Sequence, residues 1–229
     1  MDAFRQAFEL LFPLDKELLQ ILGVTLRMSF FSTTISCLIG LPLGALIGTR
    51  PFRGKAFLKK MLHTLMGLPP VVAGLIVYAL FTHYGPLGKL NLLFTVRVMV
   101  VAQCMLILPV VIGLTASFLE KNAKPMIETA AGIGLSKSRI LLLCLSESRA
   151  SLLSVVLNAF GRSIAEVGAV SIVGGNIQWK TRVMTTAIML ETNKGNFSFA
   201  LALGMILLLL AFAVNVGASW IVKEEAADD

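Results

Sequence analysis

The sequence predicts an all-α polytopic membrane protein with five membrane-spanning helices, and three observations carry that prediction. The chain of 229 residues is 56% hydrophobic and only 14% charged, with a mean hydropathy of +0.84. A soluble domain carries about 25% charged residues, because its surface must face water. Residues 28–48, 61–84, 98–119 and 197–222 contain no Asp, Glu, Lys or Arg. Each is long enough for the roughly 20 apolar residues that a helix needs to cross the hydrocarbon. A fifth stretch, residues 150–175, has the same length but contains Arg162 and Glu166. In lipid these segments must be helical, since backbone N–H and C=O groups have to pair within the segment.

The elements follow in order. Phe4, Phe8, Leu11 and Phe12 recur at helical spacing, so residues 1–20 are predicted to lie along the interface, with a break at Pro13. Six charged residues in that stretch interrupt any signal-peptide core, which leaves the first span as the insertion signal. After it come Arg50, Arg53, Lys55, Lys59 and Lys60, five basic residues within eleven positions. That density places the loop on the cytoplasmic side. With five spans, the N-terminus is then outside and the C-terminal tail, 223–229, inside. Pro69-Pro70 in the second span and Pro109 in the third are expected to kink their helices.

Several function classes are disfavoured at this level. Cys37, Cys104 and Cys144 are odd in number and widely spaced, against both disulfides and a metal site. The net charge of +7 gathers at membrane boundaries instead of forming an aromatic-flanked stripe, so lipid and topology account for it and nucleic acid does not. Gly48 to Gly54-Lys55 imitates a phosphate-binding loop, but its spacing is one residue too long and Ala56 stands where Ser or Thr is required. No nucleophile–base set is present, so the chain is not read as an enzyme. The whole of 1–229 is read as a single transmembrane domain.

The charged interruption at 120–149 carries the first functional signal. Pro125 opens a short helix with Glu128 in its first turn, Gly132 and Gly134 stop it, and Ser136 is placed to cap a second helix through Leu145. A hairpin with the apolar run 140–145 and small residues at its bend suits docking into a partner's groove. Within the fifth stretch, Arg162 and Glu166 are four apart, on one face of a continuous helix, where they can neutralise each other. They either brace the bundle or face a cavity, as charges at membrane depth do. Gly161 and Gly168 permit close helix approach or local unwinding. Gly174-Gly175-Asn176 is where backbone N–H groups and an amide are expected to come free of the helix.

Glu128-Thr129-Ala130 followed by Gly134 resembles the Glu-Ala-Ala…Gly signature of permease subunits of ATP-binding-cassette importers. The family's closing Ile-x-Leu-Pro is replaced at Cys144, Ser146 and Glu147. The stretch from Asn158 through Gly161-Arg162, Glu166, Gly168 and Gly174-Gly175-Asn176 is similar to molybdate and tungstate permeases. The continuation 181–192, then Lys194-Gly195, resembles the tungstate branch.

This resemblance implies a type I importer permease whose 120–149 segment is the cytoplasmic coupling loop, with Glu128, Thr129, Ala130, Ala131, Gly132, Gly134 and Ser136 as its contact residues. It implies Arg162, Glu166, Gly168, Gly174, Gly175 and Asn176 as candidates for the translocation pathway or gate. It further implies a homodimer in a prokaryotic inner membrane, two ATPase subunits that bind the ATP, no cofactor on this chain, and an extracytoplasmic oxyanion-binding protein. Tungstate is the expected cargo, with molybdate or sulfate as alternatives. An ion-gradient transporter is disfavoured, since no inverted repeat or intramembrane acidic relay is visible.

Overall fold

The computed structural model describes residues 16–227, with side chains up to Val214 and at Val216. The predicted interfacial segment at 1–15 lies outside the described residues. Among those described there are ten α-helices and no strand: α1 (Lys16–Thr49), α2 (Lys55–Met66), α3 (Pro70–Phe81), α4 (Val96–Asn122), α5 (Lys124–Gly132), α6 (Lys137–Glu147), α7 (Arg149–Ile164), α8 (Gly168–Gly174), α9 (Met184–Asn193) and α10 (Phe197–Ala227). A short 3₁₀ turn, Gly88–Leu90, precedes α4. Three helices, α1, α4 and α10, are long and apolar enough to cross a membrane. The pairs α2+α3 and α6+α7 pass the same test only if each pair is taken as one broken span, which allows up to five.

The expected architecture therefore holds, with corrections to individual spans. Residues 16–20, expected at the interface, are already helical in α1. The second span is not one kinked helix, because Gly67 to Pro69 separate α2 from α3 altogether. Pro70 opens α3, where its missing N–H and fixed φ are harmless. By contrast, α4 continues through Pro109 without interruption. The fifth stretch is not one helix either: α7 ends at Ile164 and α8 starts at Gly168.

The chain forms two compact units. One comprises the described residues up to Ser32 with Pro69–Gln103 and Gly161–Val214; the other comprises Thr33–Leu68, Cys104–Phe160 and the chain from Asn215. In the first unit, Leu18 and Ile21 of α1 pack with Met184 and Ala187 of α9 and Leu203 of α10. Thr25 ties α1 to α9, accepting the Met184 N–H at 2.9 Å and donating to the Ile21 carbonyl at 2.7 Å. In the same unit α3 lies directly on α8, and a Cβ at Gly74 would sit 2.7 Å from the Ala169 Cα.

In the second unit, α1 presents Gly40, Gly44 and Gly48 at four-residue spacing along one face. A Cβ at Gly40 would meet Val111 at 2.7 Å, one at Gly44 would meet the Ile112 carbonyl at 2.7 Å, and one at Gly48 the Ala116 carbonyl at 2.8 Å. Within a bilayer, where burying apolar surface gives helices no advantage over lipid contact, such backbone approach supplies the packing energy. Cys37, Val111, Val155 and Ala159 fill the adjoining core. Gly44→Val is expected to lower stability by about 1–3 kcal/mol through overpacking. Gly23→Val, where an added Cβ meets nothing within 4 Å, is the control. Thermal unfolding in detergent should show a lowered midpoint for the first variant and a far smaller shift for the second.

Candidate functional sites: a docking hairpin and an interrupted span

The hairpin forms as the sequence predicts. Lys124–Gly132 and Lys137–Glu147 are helical, and the turn between them is a Schellman closure. The Leu135 N–H donates to the Ala130 carbonyl at 3.1 Å and the Gly134 N–H to the Ala131 carbonyl at 3.0 Å. This closure places Gly134 at φ +81°, a left-handed conformation in which any Cβ is strained. Ser136 has the extended N-cap backbone, but its hydroxyl makes no capping bond and lies 3.5 Å from that of Ser138. The predicted side-chain cap is thus absent, and the helix runs to Glu147, past the expected Leu145.

The hairpin is two-faced. Ala130 and Cys144 are buried with Ala45, Leu119 and Ala123, and Met126, Ile127, Ile140 and Leu141 pack against them. Glu128, Thr129, Ala131, Gly132, Gly134 and Ser136 are exposed. At the bend Ile133 is 73% exposed, beside a carboxylate and a hydroxyl. An isoleucine so displayed at the tip of a charged hairpin adds nothing to the chain's own core.

The second site is the break between α7 and α8. Because α7 stops at Ile164, Arg162 and Glu166 do not share a helical face, and the four-residue register on which their expected pairing rested is lost. Glu166 is buried, and its Oε1 accepts the Ala169 N–H of α8 at 3.0 Å. Its carbonyl accepts the Thr185 hydroxyl at 2.8 Å. The carbonyl of Ser163, one of the last in α7, takes the Gln103 side-chain N–H at 2.8 Å. Gln103 Oε1 in turn accepts Ser32 Oγ at 2.6 Å and Ser163 Oγ at 2.8 Å, with all three side chains wholly buried. Gly168 lies against Pro70 and Val71 at the start of α3, so in this structure it serves close packing.

Beyond α8 the chain folds into a tight loop around Thr181. Its hydroxyl donates to the Gly174 carbonyl at 2.6 Å and accepts the Ile177 N–H at 3.0 Å. The Gly175 N–H is engaged with the Ser171 carbonyl at 3.0 Å, and the Asn176 amide donates to the Thr186 carbonyl at 3.3 Å. In this structure the Gly175 N–H and the Asn176 side-chain amide are thus both engaged within the chain. Glu17 fastens the loop from α1, accepting Arg182 at 2.8 Å and Gln178 at 3.0 Å. At the end of α9, Glu191 accepts Lys194 at 2.9 Å and Asn196 at 3.0 Å. The bonded Lys194 ammonium holds the Glu191 carboxyl below its ordinary range, opposed by burial and assisted by Asn196.

With this geometry in view, the comparisons with known proteins take a definite form. Residues 40–224 match the family described as binding-protein-dependent transport system inner membrane component. The chain belongs to this family. It is 42% identical to the tungstate uptake system permease protein TupB of Campylobacter jejuni, over 93% of this chain and 90% of that one. Identity is 37% to the TupB of Peptoclostridium acidaminophilum, over 93% and 94%. A bacterial alginate ABC transporter, solved with its pentasaccharide-bound periplasmic protein, superposes with a TM-score of 0.70 at 17% identity, over 97% of this chain and 85% of that one. That likeness is one of fold.

This inner-membrane component is a transport subunit, and its break at 165–167 involves residues that sequence reasoning missed. Ser32, Gln103 and Ser163 lie within predicted spans, and a glutamine inside a span was the available signal. Gln103→Leu should leave the Ser163 carbonyl and two hydroxyls without their shared partner, costing about 1–2 kcal/mol by the scale of interhelical bonds in membranes. Unfolding in SDS titrations reads this directly, and Gln103→Glu should not restore the lost donor. For Glu191 the folded carboxyl is depressed, so its stabilisation is complete above roughly 4.3, the unperturbed glutamate value. It is lost as pH falls through the folded value. The stability difference between wild type and Glu191→Gln should therefore hold steady at neutral pH and shrink in acid.

Proposed function

We propose that this chain is the permease of an ATP-driven importer that carries tungstate across the inner membrane. The observation that carries this reading is similarity to two tungstate uptake permeases over more than nine-tenths of the chain. The exposed hairpin supports the mechanism. Two copies would flank a central pathway, each offering Glu128, Thr129 and the Gly132–Gly134 bend to an ATPase subunit on the cytoplasmic side. ATP would bind on those partners, with no cofactor on this chain. A binding protein outside would deliver the oxyanion and hold most of the selectivity.

Closing the ATPase pair would draw the two hairpins together and rock the bundle from inward-facing to outward-facing. The hairpin can transmit such a motion because its inner face is packed on Leu119 and Ala123 at the end of α4 and just beyond it. The five basic residues after α1 favour the same cytoplasmic side, with the N-terminus outside. Arg162 and Glu166 stand at the interrupted span, where non-helical backbone at membrane depth is tolerated only inside protein or beside a water-filled cavity. The break is therefore our candidate for the gate.

Gly134→Asp tests the coupling. Aspartate at φ +81° strains the Schellman turn by roughly 1 kcal/mol and adds negative charge to the docking surface. Tungstate uptake and ATPase co-purification should both fall, while membrane insertion persists. Undiminished uptake would reject the docking role. Calorimetry on the cognate binding protein checks the cargo: tungstate is expected to bind far tighter than sulfate, and the reverse order would reject tungstate.

A further inference from the structure

The segment between α1 and α3 holds a feature that transport coupling does not use. A cleft of about 600 Å³ is lined by Phe52, Lys55, Lys59, Lys60, His63 and Glu120. Glu120 accepts both Lys55, at 3.3 Å, and Lys59. One carboxylate against three ammonium groups leaves the cleft positive, and Lys60 has no ion pair among the described residues. Lys55 also donates to the Gly48 and Arg50 carbonyls, at 3.2 and 3.4 Å, so it belongs to the scaffold.

The helix carrying these groups is divided lengthwise. Lys55, Lys59 and His63 follow one another at four-residue spacing, with Lys60 beside them. Phe57 and Met61 form a parallel stripe that is 72% and 50% exposed, while Leu62 is buried. A basic face beside an exposed aromatic one on a short helix is the pattern of a helix lying in the membrane interface.

We propose that this cleft binds the phosphate headgroup of an anionic phospholipid, with Phe57 and Met61 set among its acyl chains. Charge selects the headgroup, and the flanking exposed apolar side chains favour a lipid over a free anion. The volume suits a headgroup with its glycerol. The inference rests on membrane embedding and is independent of the cargo.

The test uses the full chain, delipidated and then incubated with equal phosphatidylglycerol and phosphatidylcholine of matched chains, with retained lipid counted by native mass spectrometry. Wild type should retain phosphatidylglycerol about tenfold over phosphatidylcholine, and Lys59→Gln with Lys60→Gln should abolish the preference. Lys60→Gln alone, which breaks no bond among the described residues, should reduce it if the double variant does not fold. Lys180→Gln, on the loop after α8, should leave it intact. Equal retention of both lipids by wild type, or an unchanged preference in Lys60→Gln, overturns the proposal. Displacement of the lipid by millimolar inorganic phosphate also overturns it, because that outcome marks a soluble-anion site.

Discussion

Backbone amides that enter hydrocarbon must find partners within the protein, and the interruptions in this chain depend on how that demand is met. An unpaired peptide group in lipid costs several kcal/mol, so a helix cannot simply stop inside the membrane. Here α7 stops and its loose ends are taken up individually. Gln103 takes the Ser163 carbonyl, Thr185 takes the Glu166 carbonyl, and the Glu166 carboxylate takes the Ala169 N–H. Two separate helices, α4 and α9, contribute partners alongside the break's own Glu166, so the break belongs to the fold of its unit. Without them, residues 165–167 would gain by continuing the helix.

The consequence is a short helix, α8, freed to pack against another short helix, α3. At 12 residues, α3 is roughly 18 Å long, well under the ~30 Å hydrocarbon thickness. Neither helix can satisfy a membrane alone, and Gly74 and Gly168 let their backbones approach where a side chain would keep them apart. In the other unit the same economy of small residues operates between α1 and α4. Discontinuous helices joined this way can change arrangement without unravelling a full span, which suits a component that must alternate between two states.

How much of this was legible beforehand differs by feature. Span number and approximate limits could be read because bilayer thickness imposes a length on apolar runs. The hairpin could be read because Pro125, Gly132 and Gly134 punctuate it, and Gly134 has a local reason in its positive φ. The break in the second span carried a signal in Pro69-Pro70, though a kink and a break look alike in sequence. The break at Ala165-Glu166-Val167 carried only indirect signals, Gly168 at its edge and Gln103 within another span, since no proline or glycine lies inside it. Its cause is tertiary, in Gln103 and Thr185, far away along the chain. With α7 ending at Ile164, the helical register that suggested a pairing of Arg162 with Glu166 is lost. Gly40, Gly44 and Gly48 were visible at fixed spacing, but spacing alone could not say which helix they would meet.

We propose that the bend at 132–134 is the surface through which this permease engages an ATPase. Photo-cross-linking tests it most directly, with a maleimide–benzophenone reagent attached to single cysteines in a chain whose Cys37, Cys104 and Cys144 are replaced by serine. Ile133→Cys should cross-link to the ATPase subunit in membrane preparations, and Trp179→Cys, on the loop after α8, should not. Cross-linking from Trp179→Cys with none from Ile133→Cys would contradict both the docking surface and the orientation of the chain.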